Sequence, residues 1–412
     1  MRTCLFALLL TVLPTVATAE EVWTQFRGPD GSGLSDATGL PIEWSETKHV
    51  TWKTPLRGKA WSSPVVWGEQ VWLTNATEDG KRLSALCIDR AGGRVRRDVL
   101  VFAIAKPQFC YPFNSYASPT PVIEEGRIYV HYGSHGTACL DTATGKNLWT
   151  RQDFPCDHHR GAGSSPIVHG NLLFLTFDGF NVQYVVALDK TTGETVWKRD
   201  RQIDYGTTNG DSMKAYGTPR VIEAGGRLQL VSPSAGATIA YNPLTGDELW
   251  RVRSGGMNAA APPLFALGRL LINTADGGFK QFAVRPDGAG DVTETHVEWK
   301  EQEGVPSRCA PLVVGDLLFM TNEAGVVSCL EAATGKLVWR HRLGGHYSAS
   351  PVSAEGRLYF SSEDGDFPVI AARREYKLLA TNQLETGSMA SPAIAGKAIF
   401  LRTKTHLYRI EE

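Results

Sequence analysis

The sequence predicts an all-β protein: an eight-bladed β-propeller whose ring is closed by an amino-terminal strand that completes the last blade. Three observations carry this reading. A unit recurs eight times, each unit breaks into four short strand-like runs, and a turn motif ending in tryptophan joins the third run to the fourth. The unit opens on a small residue and a proline, followed by an apolar strand. It does so at Ser63-Pro64, Ser118-Pro119, Ser165-Pro166, Thr218-Pro219, Ala261-Pro262, Ala310-Pro311, Ser350-Pro351 and Ser391-Pro392. Self-similarity at about 40 to 55 residues is the mark of a propeller or solenoid.

The unit beginning at Ala310 shows the four runs clearly, at residues 310–314, 316–321, 326–331 and 336–340, punctuated by Gly315, Gly325 and Gly335. β-branched and aromatic residues dominate such runs, and no stretch of ten or more keeps a helical period. The turn motif reads Asp141, Gly145, Trp149; Asp189, Gly193, Trp197; Asn242, Gly246, Trp250; and Glu331, Gly335, Trp339. An Asp or Asn opening such a turn bonds its own backbone two residues on, and glycine accepts positive φ, so the pair fixes a tight hairpin. The tryptophan then falls at one register of the outer strand, where it fills space between blades. The first unit keeps Asp89, Gly92 and Gly93 without the tryptophan, the fifth has a longer approach to Trp299, and the seventh has lost the motif.

The last unit, 391–410, supplies only about three strands, and residues 50–55 with Trp52 look like the fourth. Closure of this kind removes exposed sheet edges.

Residues 1–19 read as a secretory leader: Arg2, an apolar run from about Leu5 to Val16, then small residues, with cleavage expected after Ala19. Residues 20–412 are then one propeller domain, expected to be exported, periplasmic or extracellular, and monomeric. No run reaches the roughly 18 apolar residues of a membrane span. Cys4 precedes the apolar run, so no lipid anchor is expected. Across 412 residues the formal net charge is −1, which gives no electrostatic footprint for nucleic acid.

Loops entering the innermost strands gather at one mouth of a propeller's channel, and they are expected to be short here. Three residues before each repeat proline stand Trp61, Tyr116, Gly163, Tyr216, Ala259, Arg308, Ser348 and Met389. The aromatics and the arginine are suited to stack on a planar or sugar-like ligand or to anchor a partner's side chain; alternatively they only pack the funnel. His158, His159 and Arg160, in the loop before the third unit, join this candidate set. Cys110 and Cys156 hold similar offsets in neighbouring loops, so a disulfide across the mouth is expected. Cys156 and the adjacent histidines have metal-ligand chemistry without a zinc spacing, and His131, His135 and Cys139 fall on a hairpin; no metal site is expected. Cys309 and Cys329 read as small buried residues in strands. Hydrolase signatures such as Gly-x-Ser-x-Gly are absent.

The Asp-x-x-Thr-Gly-x-x-x-Trp repeat resembles the tryptophan-docking motif of pyrroloquinoline-quinone (PQQ) type propellers, a family holding both quinoprotein alcohol dehydrogenases and the outer-membrane assembly scaffold BamB. The opening stretch from Trp23 to Gly33, including Arg27, Gly28, Pro29, Asp30 and Gly31, is similar to the start of secreted bacterial members; read from its residues, it is a turn-rich clasp. The resemblance implies adjacent cysteines and calcium ligands for a dehydrogenase, yet no two cysteines here are adjacent. The reading is therefore a non-catalytic module without a cofactor, binding a protein or glycan partner at the channel mouth. The alternatives are a PQQ- and calcium-dependent dehydrogenase and a BamB-like assembly scaffold.

Overall fold

The computed structural model describes residues 21–412; the leader reading, including Arg2, Cys4 and cleavage after Ala19, lies outside the described residues. The described residues form eight sheets, seven of four strands and one of five, with consecutive strands antiparallel within each blade. Blade 1 runs Val65–Trp67, Gln70–Ala76, Arg82–Asp89 and Val95–Ala103. Blade 8 takes Ala393–Ala395, Ala398–Arg402 and His406–Ile410 from the end of the chain and Val50–Pro55 from its beginning, with Val50 opposite Ile410 and Pro55 opposite His406. The predicted closure is therefore present. Second and third strands are packed on both faces, as in Leu172–Asp178, whereas the outer strand Val50–Pro55 buries Trp52 and Thr54 and exposes the residues between them.

The turn motif works between blades. Asp189 Oδ1 accepts the backbone N–H groups of Thr191 and Thr192 at 2.8 and 2.9 Å, which closes the turn and holds its carboxyl below the usual range. The preceding blade's Trp149 lies on this turn: its indole N–H donates to the Lys190 carbonyl at 3.0 Å, and a Cβ on Gly193 would sit 2.7 Å from its ring. Glycine is required there by contact as well as by its φ of 76°. Trp52 docks in the same way on Arg90 and Gly93, and Trp197 on Pro243 and Gly246. Trp339 still bonds the Arg373 carbonyl at 3.0 Å although blade 7 has lost the motif, because a backbone carbonyl is all the indole needs.

Two blades depart from the pattern. Blade 1 places Arg97 at the tryptophan register, opposite Cys87 as Trp149 is opposite Cys139, and its guanidinium bonds the Ala143 carbonyl beside Gly145. Blade 5 offers Trp250 no tight turn. The segment Gly290–Asp291 instead pairs in parallel with Trp250 and Arg251, giving the fifth strand, and the indole N–H turns to Gln229 Oε1 at 2.6 Å. Gln229 in turn donates to the Pro286 carbonyl at 2.8 Å, so the bond between blades passes through an amide. Cys329 pairs across from Trp339 as a small residue in a strand, as expected; Cys309 is buried in the approach to blade 6, before the strand begins.

Around the axis, the residue before each inner-strand proline ties one blade to the next. The Ser63 N–H donates to Thr120 Oγ1, Thr120 to Ser165, and Ser165 to Thr218, each at 2.9 Å. On the other side Ala310 donates to Ser350, Ser350 to Ser391, and Ser391 back to Ser63, at 2.8 to 3.1 Å. The serines and threonines of the repeat are thus acceptors in a belt, and the belt breaks at blade 5, where Pro262 has neither N–H nor hydroxyl.

The opening segment crosses the channel. Trp23 pairs with Val66 of blade 1, the Thr24 carbonyl takes the Ile123 N–H of blade 2, and Ser35 pairs with Ser353 of blade 7. Between them Arg27, 1% exposed, donates to the carbonyls of Ser32, Pro311 and Pro351 at 2.6 to 3.1 Å. Gly33, at φ 82°, makes room for that guanidinium, since a Cβ would lie 2.5 Å from Nη2. The predicted clasp is a plug across the ring.

Candidate functional site at the channel mouth

With one end crossed by the clasp, the channel becomes a blind funnel of about 920 Å³, with Phe26 of the clasp among its lining residues. The residues three before the strand-opening prolines ring its wall, with two corrections of register. In Ser118-Pro119-Thr120-Pro121 the strand starts at Val122, and in Pro262-Pro263 it starts at Leu264. The second proline of each doublet is therefore the structural one, and the ring positions are Ser118 and Ala260 in place of Tyr116 and Ala259. Trp61, Gly163, Tyr216, Arg308, Ser348 and Met389 line the cavity as expected, and Arg160 joins them. Tyr116 lies outside: its ring packs on Gly80 and edge-on to His135 at 5.7 Å, and its hydroxyl donates to the Gln108 carbonyl.

The expectation of short loops fails at residues 104–121, which join Ala103 to Val122 and fold over the mouth. This lid is held from several blades. Trp61 Nε1 donates to the Phe113 carbonyl at 3.0 Å, Lys59 bonds the Pro112 carbonyl, and Asn114 Nδ2 donates to the Arg160 carbonyl at 2.9 Å. From across the ring the Arg308 guanidinium rests 4.7 Å from the centre of the Phe113 ring, a cation–π contact. Tyr111 and Phe113 face the cavity while Phe109 is 61% exposed on the rim. Phe109, Tyr111 and Phe113 did not enter the sequence-derived set, whose only aromatic from this loop was Tyr116. The signal was there, in three aromatics within 109–113 between two recognisable strands.

His158 and His159 separate. His158 is buried; its Nε2 accepts the Ser134 N–H at 3.1 Å, so its proton sits on Nδ1, 3.7 Å from Cys156 Sγ, and burial lowers its pKa to about 4. It is a packing residue on Phe177. His159 stays on the rim between Phe180 and Phe109, with ring centres 5.2 and 6.3 Å away. The Cys110–Cys156 disulfide does not form. Both thiols are free: Cys110 lies against the Tyr111 and Arg160 carbonyls, with its pKa pushed up to about 11 by burial, whereas Cys156 is packed against Gly179.

Both arginines at the mouth are paired, and the Asp276 carboxylate is held by a neutral amide. Arg160 meets Asp211 at 3.2 Å, Arg308 approaches Glu363 at 3.6 Å, and Asp276 accepts from Asn258 Nδ2 at 2.8 Å. Three enclosed polar atoms remain without partners among the described residues: Tyr216 Oη, Arg308 Nε and Asn258 Oδ1. A quinone with calcium fits this wall poorly. Calcium takes six to eight oxygens, and here one carboxylate, Asp276, and one free amide oxygen, of Asn258, stand together.

A family model described as outer membrane protein assembly factor BamB matches residues 181–412. BamB of Shewanella oneidensis is 22% identical over 305 residues, which span 68% of this chain and 70% of that protein. The quinoprotein ethanol dehydrogenase of Pseudomonas aeruginosa is 32% identical over 145 residues, and the 1-butanol dehydrogenase of Thauera butanivorans 26% over 273. These matches cover 22% and 35% of the two enzymes' lengths. Among solved structures, BamB from Moraxella catarrhalis superposes with a TM-score of 0.64 at 12% identity, covering 88% of this chain and 97% of that one. Quinohemoprotein alcohol dehydrogenase from Comamonas testosteroni gives 0.67 at 12%, covering 95% and 80%. At such identities the structural likeness speaks for the fold alone. The family match runs over more than half the sequence, and the eight blades and their docked tryptophans agree with it: the chain belongs to the BamB family of PQQ-like repeat propellers.

Proposed function

We propose that this protein is an exported, monomeric, non-catalytic propeller that holds a protein or glycan partner in the funnel at its channel mouth. The observation that carries the reading is the funnel itself: a blind cavity walled by aromatic and hydroxyl side chains, in which the described residues assemble no nucleophile with an adjacent base. The leader-like opening of the sequence and the BamB family relationship both support a place outside the cytoplasm. That relationship also supports a scaffold role, since BamB is named as an assembly factor for outer membrane proteins.

The test compares wild-type protein with a Trp61→Ala, Phe113→Ala variant against a glycan array and against membrane extracts. A partner bound by the wild type and lost by the variant is expected, with an unchanged melting temperature. Oxidation of alcohols by the protein loaded with quinone and calcium would overturn the reading in favour of the dehydrogenase alternative.

A further inference from the structure

The hydroxyl belt has an unused side. A hydroxyl that accepts a backbone N–H keeps its own proton as a donor. Ser63, Thr120, Ser165, Thr218, Ser350 and Ser391 each accept from the neighbouring blade, and none of the six hydroxyls donates to a protein acceptor among the described residues. All six also line the cavity, so its wall is a ring of free O–H donors. Asn258 and the Asp276 carboxylate stand in the same wall, and each belt hydroxyl also keeps its second lone pair. Above the belt stand the faces of Trp61, Tyr111, Phe113 and Tyr216.

Resting on the binding-module reading, we propose that the funnel's occupant is the end of a neutral oligosaccharide. Three features select this chemistry. A sugar ring presents an apolar face to an aromatic side chain and, around its edge, oxygens that accept from the donor ring and hydroxyls that donate to Asn258 and Asp276. A peptide N–H can only donate and would compete with the protons of the belt, whereas each sugar hydroxyl can turn to accept from them. An anionic ligand would find no free counter-charge, because Arg160 and Arg308 are already paired with Asp211 and Glu363, and it would meet the Asp276 carboxylate, whose neutral partner Asn258 leaves its charge in place. The clasp closes the far end, so a chain enters by its terminus rather than threading through. The volume lies near the top of the roughly 300–1,000 Å³ typical of small-molecule pockets, which leaves room for more than one ring.

The experiment is calorimetric titration of the full chain with cellotetraose, mannotetraose, xylotetraose and maltotetraose, against tetragalacturonate and a tetra-alanine peptide. At least one neutral tetrasaccharide is expected to bind. Its affinity should hold between about 0.05 and 1 M salt, where an ionic contact would be screened. It should fall at least tenfold in Trp61→Ala and several-fold in Tyr111→Ala, at two rings that line the cavity. Binding of the acidic sugar or the peptide alone, binding of none of the neutral sugars, or binding indifferent to both variants overturns the saccharide assignment. If a protein partner is then displaced from the mouth by Trp61→Ala, the saccharide assignment falls while the binding-module reading stands.

Discussion

Trp197 contributes in two ways that substitution can separate. It is 6% exposed and fills the seam against Tyr241 and Gly246, and its indole N–H bonds the Pro243 carbonyl at 2.9 Å. Trp197→Ala should cost about 3 to 5 kcal/mol, as large aromatic truncations in cores do. Trp197→Phe keeps most of the filling and should cost far less, of which about 1 kcal/mol is the lost hydrogen bond. Urea denaturation of the two variants checks the split. His131 and His158 make a second residue-scale prediction. Burial lowers their pKa values to about 3 and about 4, so the folded state resists a proton that the unfolded chain accepts near 6.5. Stability is then full above pH 6.5 and declines as the pH falls towards 4, by about 2 kcal/mol per histidine at pH 5. Melting curves from pH 7 to 4.5 should show this limb, and replacing both histidines with glutamine should flatten it.

At the scale of elements, the clasp is the test piece. Arg27 is a buried cation whose pKa burial lowers to about 9, held by three carbonyls that have no better donor. Arg27→Ala should destabilise by about 2 to 3 kcal/mol through the loss of these charge-assisted bonds. Hydrogen exchange should then rise at Ser353 and Ile123, whose N–H groups pair with the clasp. Blades were legible in the sequence because their physics is local: a turn closed by Asp189 and a tryptophan at fixed spacing leave a repeating trace. The lid was not, since residues 104–121 are placed by Trp61, Arg160 and Arg308, contacts from distant units that no periodicity encodes. The misplacement of Tyr116 came from a proline doublet, in which either proline satisfies the pattern and only strand pairing decides. The expected disulfide failed similarly. Equal offsets in neighbouring loops do not make equal depths, and Cys156 is buried whereas Cys110, within the lid itself, is half-buried.

For the molecule as a whole, the ring is held by two sets of ties, docked tryptophans outside and the hydroxyl belt inside, and both lapse around blade 5. Pro262 breaks the belt, the Trp250 indole reaches the next blade through Gln229 while its backbone pairs with Gly290, and Trp299 Nε1 has no partner among the described residues. Under mild denaturant, amide exchange should therefore rise first in Leu264–Ala266 and Arg269–Asn273 of that blade. Eight-fold order and closure were readable from the sequence; which joint is weakest was not, because weakness here is the absence of bonds that only coordinates reveal.

The composition of blade 8 sets the order of events in time. Val50–Pro55 is made early and has no strand partner until His406–Ile410 has been made, some 350 residues later. Until then the nascent chain carries an unsatisfied edge at each end, and its last blade has no outer wall. The ring is therefore open while residue 410 is still missing. Deleting His406–Glu412 should accordingly leave a chain that never closes, read as loss of the cooperative melting transition and aggregation through the two bare edges.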